Sequence, residues 1–256
     1  MEKALELTGV VDGLENTTLN SGAKASARSR FESTKQRFFG QVLLSMKLPT
    51  VIAAVGEHLM AGQSVVLQLV TTAESILDRR LGMLSPDERV DLEIDLSPRE
   101  YVIDYLERAF PTRQMRVFTD DTGTQRSEPM TDETGNPVYN PEAEAARALM
   151  IEHLCALPPI MSALDGILEH FGHDRVAEVT GRTKRLISTG DGRQKLETRS
   201  TRTSQAEAAA FMQGLKRVLI FSDAGGTGRS YHASMDVPNQ EQRVHLLLEP
   251  GWRADR

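Results

Sequence analysis

An α/β fold built on a parallel sheet is what this sequence predicts, and three stretches carry that expectation. Residues 64–70, 217–221 and 244–248 are mostly apolar runs, as strands covered on both faces require. Segments of helical spacing lie between them. The second run ends in a glycine-dense polar loop, Ser222-Asp223-Ala224-Gly225-Gly226-Thr227-Gly228-Arg229. In open α/β sheets, ligands bind at the carboxyl ends of the strands. Glycines let the backbone approach a ligand, and successive N–H groups cradle phosphate oxygens. Arg229 adds a permanent positive charge. A tight turn alone also explains a Gly-Gly-x-Gly cluster, and on these residues the two readings stay open.

The other elements follow in order. Residues 1–33 are small and polar and predict a mobile lead-in. A helix over 34–46 carries Phe38, Val42 and Met46 on one side. Pro49 suits the first turn of a second helix, with Val51, Ile52, Val55 and Leu59 at helical spacing. The strand at 64–70 runs into Thr71-Thr72-Ala73-Glu74, a capping box for the next helix, and Ser85-Pro86-Asp87-Glu88 reads as another helix start. The distance to the next core strand is far longer than a βα connection needs. Residues from about 85 to 172 are therefore predicted to be an inserted α+β subdomain. It holds a helix from Ser97-Pro98 with Tyr101, Val102, Tyr105 and Leu106 on its apolar face. A strand at 114–118 and an acidic hairpin or flap at 119–139 come next. A helix then runs from Asn140-Pro141 to Leu157, and a last one carries Ile160, Leu164, Ile167, Leu168 and Phe171. The acidic hairpin would repel a phosphate backbone, so partner contact or lobe positioning is expected of it.

The core resumes with a strand at 176–180 and the basic loop Gly181-Arg182-Thr183-Lys184-Arg185, a phosphate site or a solvated turn. A hairpin follows, 184–188 with 194–199 around Thr189-Gly190-Asp191-Gly192. A helix over 204–214 has Glu207 in its capping box and Gly214 as its stop.

Bulk properties place limits on function. The chain has 256 residues and a net charge of -6, so any nucleic-acid contact must come from a local patch. A single cysteine, Cys155, rules out an internal disulfide framework and is expected in the core. No apolar run suggests a membrane span and no signal peptide is evident, so the cytoplasm is the expected location. His170 and His173 with Cys155 and Asp174 fit no zinc spacing. Ser222, Asp223 and His232 lack the G-x-S-x-G elbow of a hydrolase triad. No metal site is expected.

The segment FSDAGGTGRSYHAS resembles motif V of superfamily two helicases and translocases. With NQEQRVHLLLEPGWRAD, it is similar to the carboxyl-terminal helicase domain of the strawberry notch family. The likeness continues upstream through FESTKQRFFGQVLLSMKLPTVIAAV, VVLQLVTTAE, DLSPREYVIDYLERAFPTRQMRVF and VAEVTGRTKR. The resemblance implies the second RecA-like lobe of a P-loop NTPase over residues 34–256, incomplete at its end, with residues 1–33 as an interlobe linker. It implies ATP and Mg2+ shared with a first RecA-like lobe of the same or a neighbouring protein. Nucleic acid, taken as DNA, would be the partner, with no membrane. Asp223, Gly225, Gly226, Thr227, Gly228 and Arg229 would meet nucleotide. Gln68, Thr71, Thr72, Arg182, Ser222, Gln240 and Arg243 would touch nucleic acid, and Asn239 would support the loop.

A Walker A string, G-x-x-x-x-G-K-[S/T], does not occur in the sequence. The family's Gln-x-x-Gly-Arg-x-x-Arg segment with the arginine finger would lie beyond Arg256. The chain alone is therefore expected to lack ATPase activity, with no catalytic residue of its own. Two other readings remain: a non-enzymatic interaction module, and a nucleotide-cofactor enzyme such as a methyltransferase. The second is disfavoured because a fingerprint loop follows the first strand of its domain.

Overall fold

The computed structural model describes residues 1–85, 92, 94, 96–189, 193–226 and 228–249, without the side chains of 188, 189 and 193. In chain order the elements are α1 (Glu2–Leu7), α2 (Ser21–Met60), β1 (Ser64–Gln68), α3 (Glu74–Met83) and α4 (Arg99–Ala109). Next come β2 (Met115–Thr119), β3 (Gln125–Pro129), α5 (Pro141–Ala156), α6 (Ala163–Phe171) and β4 (Val176–Val179). The last are β5 (Lys184–Thr189), β6 (Arg193–Thr198), α7 (Thr201–Met212), β7 (Val218–Phe221), α8 (Asp223–Gly226) and β8 (Arg243–Leu247).

These elements fall into two compact units. One holds Met1–Phe39 with Pro98–Pro159, and the other Gly40–Ser97 with Ile160–Arg256. The second unit carries the sheet, β4-β7-β1-β8, with every pairing parallel. Its register aligns Val66 with Leu219 on one side and with His245 on the other. One sheet face presents Val65, Leu67, Val176, Val218 and Ile220 to a cluster with Leu44 and Val55 of α2 and Leu164, Ile167 and Leu168 of α6. The opposite face, Val66, Ala177, Val179 and Leu219, packs with Phe211 of α7. Burial of this aliphatic set, at roughly 25 cal/mol per Å2 of apolar surface, is what holds the lobe together. α3 and the β5–β6 hairpin close a smaller cluster of Leu77, Leu81, Leu92 and Ile94 with Leu186 and Leu196.

In the first unit, α1 contributes Ala4 to a cluster with Tyr105, Leu106 and Phe110, flanked by Phe31 and Leu154. The Asn140 side chain caps α5 by accepting from the Ala143 N–H, while its amide donates to the Leu7 carbonyl and to Gln114. The hairpin turns of β2–β3 and the loop after it are each closed by an aspartate. Asp120 accepts from Thr122 and Thr124, and Asp132 from Thr134 and Asn136. Those bonds, the Thr122 and Thr134 hydroxyls first, hold both carboxyls below the usual range.

Several expectations are corrected. Residues 1–33 are not a bare lead-in: Leu5, Val10 and Val11 are buried, and the Asn20 side chain accepts from the Ala23 N–H at the start of α2. The segment outside the sheet-bearing unit is 98–159 together with 1–39, rather than 85–172, and α6 belongs to the sheet's own core. Pro49 lies inside α2 instead of starting a helix. An internal proline costs a helix about 3 kcal/mol, but Leu44, Leu48, Val51 and Val55 pack against the sheet on both sides of it. The inward side is therefore Leu44 and Leu48, and Met46 is exposed. By length and composition α2 could cross a membrane, contrary to the sequence reading, yet this same inward face packs on the sheet. α7 starts at Thr201 because Ser200 and Thr203 form the capping box that Glu207 was expected to complete. Cys155 is exposed. The helix start at 85–88 lies, from Pro86 onward, outside the described residues, as does the turn at 190–192.

Candidate functional site

Because the four strands are parallel, their carboxyl ends share one edge, which gathers the segments after Gln68, Val179, Phe221 and Leu247. Gln68 is half-buried at the end of β1. Beyond it, the Val70 and Thr71 N–H groups donate to Glu249 Oε2 at 2.9 Å each, and the Thr71 hydroxyl donates to Oε1 at 2.9 Å. This corrects the helix cap expected of Thr71. A carboxylate receiving three hydrogen bonds outcompetes a local cap, and α3 begins instead after Ala73 in a left-handed conformation, φ 57°. Thr72 is half-buried beside it. Glu74 accepts from the Thr183 N–H at 2.5 Å and hydroxyl at 2.9 Å, so α3 holds the loop after β4.

The glycine loop begins as a single helical turn. The buried Ser222 turns its carbonyl to the N–H groups of Gly225, 2.8 Å, and Gly226, 2.9 Å. Those two donors are thereby engaged within the turn, whereas the resemblance had the Gly226 N–H facing a lobe interface. The glycines themselves have a steric cause. A Cβ at Gly225 would stand 1.8 Å from the Val179 carbonyl oxygen, and one at Gly226 would stand 2.7 Å from the Phe221 ring. Gly228 has φ +71°, a region that side chains disfavour. Asp223 is half-buried in the turn, and Arg229 is exposed just after it. Thr227 lies outside the described residues. The Tyr231 hydroxyl donates to the Gly225 carbonyl at 2.7 Å, and its ring leans on Phe221 at 5.7 Å. Burial raises the Tyr231 pKa, and Arg229 beside the hydroxyl opposes the rise.

The loop's return to β8 is braced from within. The Asn239 amide donates to the Phe211 carbonyl at 3.1 Å and to Ser64 Oγ at 3.2 Å. Its Oδ1 accepts from the Glu241 N–H and Arg243 Nη1, each at 3.1 Å. Arg243 also donates to the Asn239 carbonyl at 2.9 Å, and its guanidinium lies 5.1 Å over the Phe211 ring. Burial lowers the Arg243 pKa while Glu241 raises it. Gln240 donates to the Ser234 carbonyl at 2.7 Å. Asn239, Gln240 and Arg243 therefore point their polar groups at the protein's own backbone and side chains. Removing the buried Asn239 amide with Asn239→Ala leaves several of these partners unmet. Its expected cost is about 2 kcal/mol, read as a lower urea midpoint at unchanged slope.

Arg182 is also corrected. It is buried, with Nε 2.6 Å from Glu178 Oε1 and Nη1 2.8 Å from Asp165 Oδ1, and is not presented to a phosphate. Glu178, fully buried in β4, is the hub that sequence reading missed. Arg185 Nη1 reaches its Oε2 at 3.0 Å, Arg199 pairs with it, and the Thr180 hydroxyl donates to it at 2.7 Å. Arg199 Nη2 also donates to the Glu178 carbonyl at 2.7 Å. Burial alone would raise the Glu178 pKa, but Arg182, Arg199 and Thr180 hold it down at about 2. Burial likewise opposes the Arg182 charge, and Asp165 and Glu178 push its pKa above the ordinary value. The available signal was one acidic residue in an apolar strand, followed by arginines at spacings of 4 and 7. His232 contacts Ser230 in an exposed loop rather than Ser222. Among the described residues no cluster of metal-ligating side chains occurs.

Residues 162–256 match the family described as the C-terminal domain on strawberry notch homologue. Protein strawberry notch of Drosophila melanogaster is 40% identical over 114 residues, which is 41% of this chain and 7% of that protein. Protein strawberry notch homolog 2 of Homo sapiens is 39% identical over 103 residues, 38% of this chain and 8% of that protein. Protein FORGETTER 1 of Arabidopsis thaliana is 36% identical over 118 residues, 43% of this chain and 9% of that protein. The chain thus spans less than a tenth of the length of these relatives. No solved structure matches. The matched region holds α6, β4, β7, the glycine loop and β8, and the parallel sheet they form with β1 is that of an α/β RecA-like lobe. Over residues 162–256 the chain is thus similar to the strawberry notch carboxyl-terminal helicase domains.

Proposed function

We propose that this chain supplies the second lobe of a nucleic-acid-dependent ATPase of the helicase or translocase kind, working in the cytoplasm on DNA. The observation that carries the reading is the gathering of residues 68–72, 180–183, 222–226 and 228–229 at one sheet edge of a chain similar to helicase carboxyl-terminal domains. Within that edge, Gln68, Thr72 and Arg229 are the groups that would meet a nucleic-acid backbone or a nucleotide. Thr71, Ser222, Asn239, Gln240 and Arg243 keep the loops in place.

The described residues of the glycine loop do not make an ATP and Mg2+ site by themselves, since the Gly225 and Gly226 N–H groups serve the Ser222 carbonyl. No hydrolytic step is assigned to this chain. Phosphate and magnesium chemistry would come from a first lobe with a Walker A loop, against which Arg229 and the rim of the loop would close. The same engaged N–H groups favour, as a second reading, an interaction module with no part in nucleotide turnover.

ATPase assays separate these readings. The purified chain is expected to show no turnover, with or without single- or double-stranded DNA. Adding the first lobe of a strawberry notch relative is expected to produce DNA-stimulated turnover that Gly228→Glu abolishes. Turnover by the chain alone, lost in Gly228→Glu, would overturn the half-site reading. A silent mixture in which the chain still binds DNA would favour the interaction module.

A further inference from the structure

We infer that the sheet face beside the glycine loop is a stacking platform for a nucleobase of a single strand, an inference resting on the nucleic-acid reading above. On the face opposite α2 and α6, α7 packs over β4 and β7. The neighbouring half of that face, over β1 and β8, carries Gln68, His245 and Leu247 from strand positions that alternate with the buried row. His245 is exposed and Leu247 is 54% exposed, so among the described residues this half of the face is uncovered. The Phe221 ring leans across β1 to lie 5.8 Å from His245 on one side and 5.7 Å from Tyr231 on the other.

Three ring-bearing side chains thus form a row that starts at the glycine loop and ends at β8, the edge strand among the described residues. Such a row suits the flat face of a base, which stacks on aromatic side chains whatever its sequence. The occupant is chosen by charge. Arg229 is exposed at the Tyr231 end, placing a cation where the phosphate linked to a stacked base would pass. An apolar protein segment would leave that guanidinium without a counter-charge. A base stacked on His245 with its phosphate toward Arg229 satisfies both ends.

The test uses the whole chain and fluorescence anisotropy with two labelled oligonucleotides of equal length, oligothymidine and its abasic counterpart. Wild type is expected to bind oligothymidine about 10-fold more tightly than the abasic strand. His245→Ala is expected to erase that preference while keeping the salt dependence, and His245→Phe to restore it. Arg229→Ala is expected to weaken both strands alike and to flatten the salt dependence. Equal wild-type affinity for the two strands, or a preference that survives His245→Ala, overturns the platform. If ATP alone is held more tightly by wild type than by His245→Ala, the base belongs to a free nucleotide and the strand assignment fails. A wild-type chain that binds neither strand removes the nucleic-acid reading itself, and the platform with it.

Discussion

Glu178→Gln is expected to destabilise the sheet-bearing unit by about 3–5 kcal/mol, the usual cost of stripping one partner from a buried ion pair. The substitution keeps the shape but leaves Arg182, Arg185 and Arg199 facing a neutral amide in a site from which water is excluded. Asp165 and Glu197 offset part of the loss, because they already hold Arg182 and Arg185. The same network sets an acid limit. The Glu178 pKa is lowered from 4.5 to about 2 in the folded chain, so its stabilisation is complete above pH 4.5 and is lost as the pH falls toward 2. At 1.36 kcal/mol per unit that amounts to about 3 kcal/mol. Urea titrations at pH 7 and pH 3 measure both effects. The wild type should lose stability between the two, and Glu178→Gln should lose distinctly less. A variant as stable as wild type at pH 7 would show that the pair contributes nothing net.

Gly225→Ala is the second large effect, expected to cost about 3 kcal/mol or more, at the upper end of overpacking changes. The added Cβ would lie 1.8 Å from the Val179 carbonyl oxygen. Val179 cannot yield easily, since it is paired in register with Phe221. Relief therefore requires α8 to lift from β4, which would carry away the Tyr231 bond to the Gly225 carbonyl. Gly228→Ala meets open space and only a positive φ, so roughly 1 kcal/mol is expected there. The order of the two variants is diagnostic. If Gly225 served only close approach of a ligand, Gly225→Ala would fold normally and lose binding alone.

The strands were legible because apolar runs such as Val218 to Phe221 carry their own evidence of being covered on both sides. The glycine loop was legible as a place but ambiguous as chemistry. Sequence shows that glycines stand there, whereas the carbonyl of Val179 that demands one of them comes from another strand. Non-local partners hid the rest. Thr71 read as a cap because Glu249, 178 residues away, is invisible in local pattern. Arg182 read as a nucleic-acid contact or a solvated cation because nothing nearby announces that Glu178 is buried within the lobe. Residues 1–33 looked like linker because small polar residues outnumber Leu5, Val10 and Val11, the few that are buried. Pro49 misled for the opposite reason, since a strong local rule lost to packing on both sides.

The strand order β4-β7-β1-β8 also has a cost in time. Val66 must wait for Leu219 and His245, about 150 and about 180 residues further along, before either side of β1 is hydrogen-bonded. At ribosomal speeds of about 5–20 residues per second, that leaves an apolar segment without its neighbours for roughly 8–30 s. Loop closure over such lengths adds only modest free energy, but distant pairings in parallel sheets assemble slowly. The vulnerable species of this protein is therefore the nascent chain, with residues 64–70 already made and their neighbours not yet synthesised. Chaperone capacity and growth temperature, more than the stability of the finished lobe, should govern how much of it survives to fold.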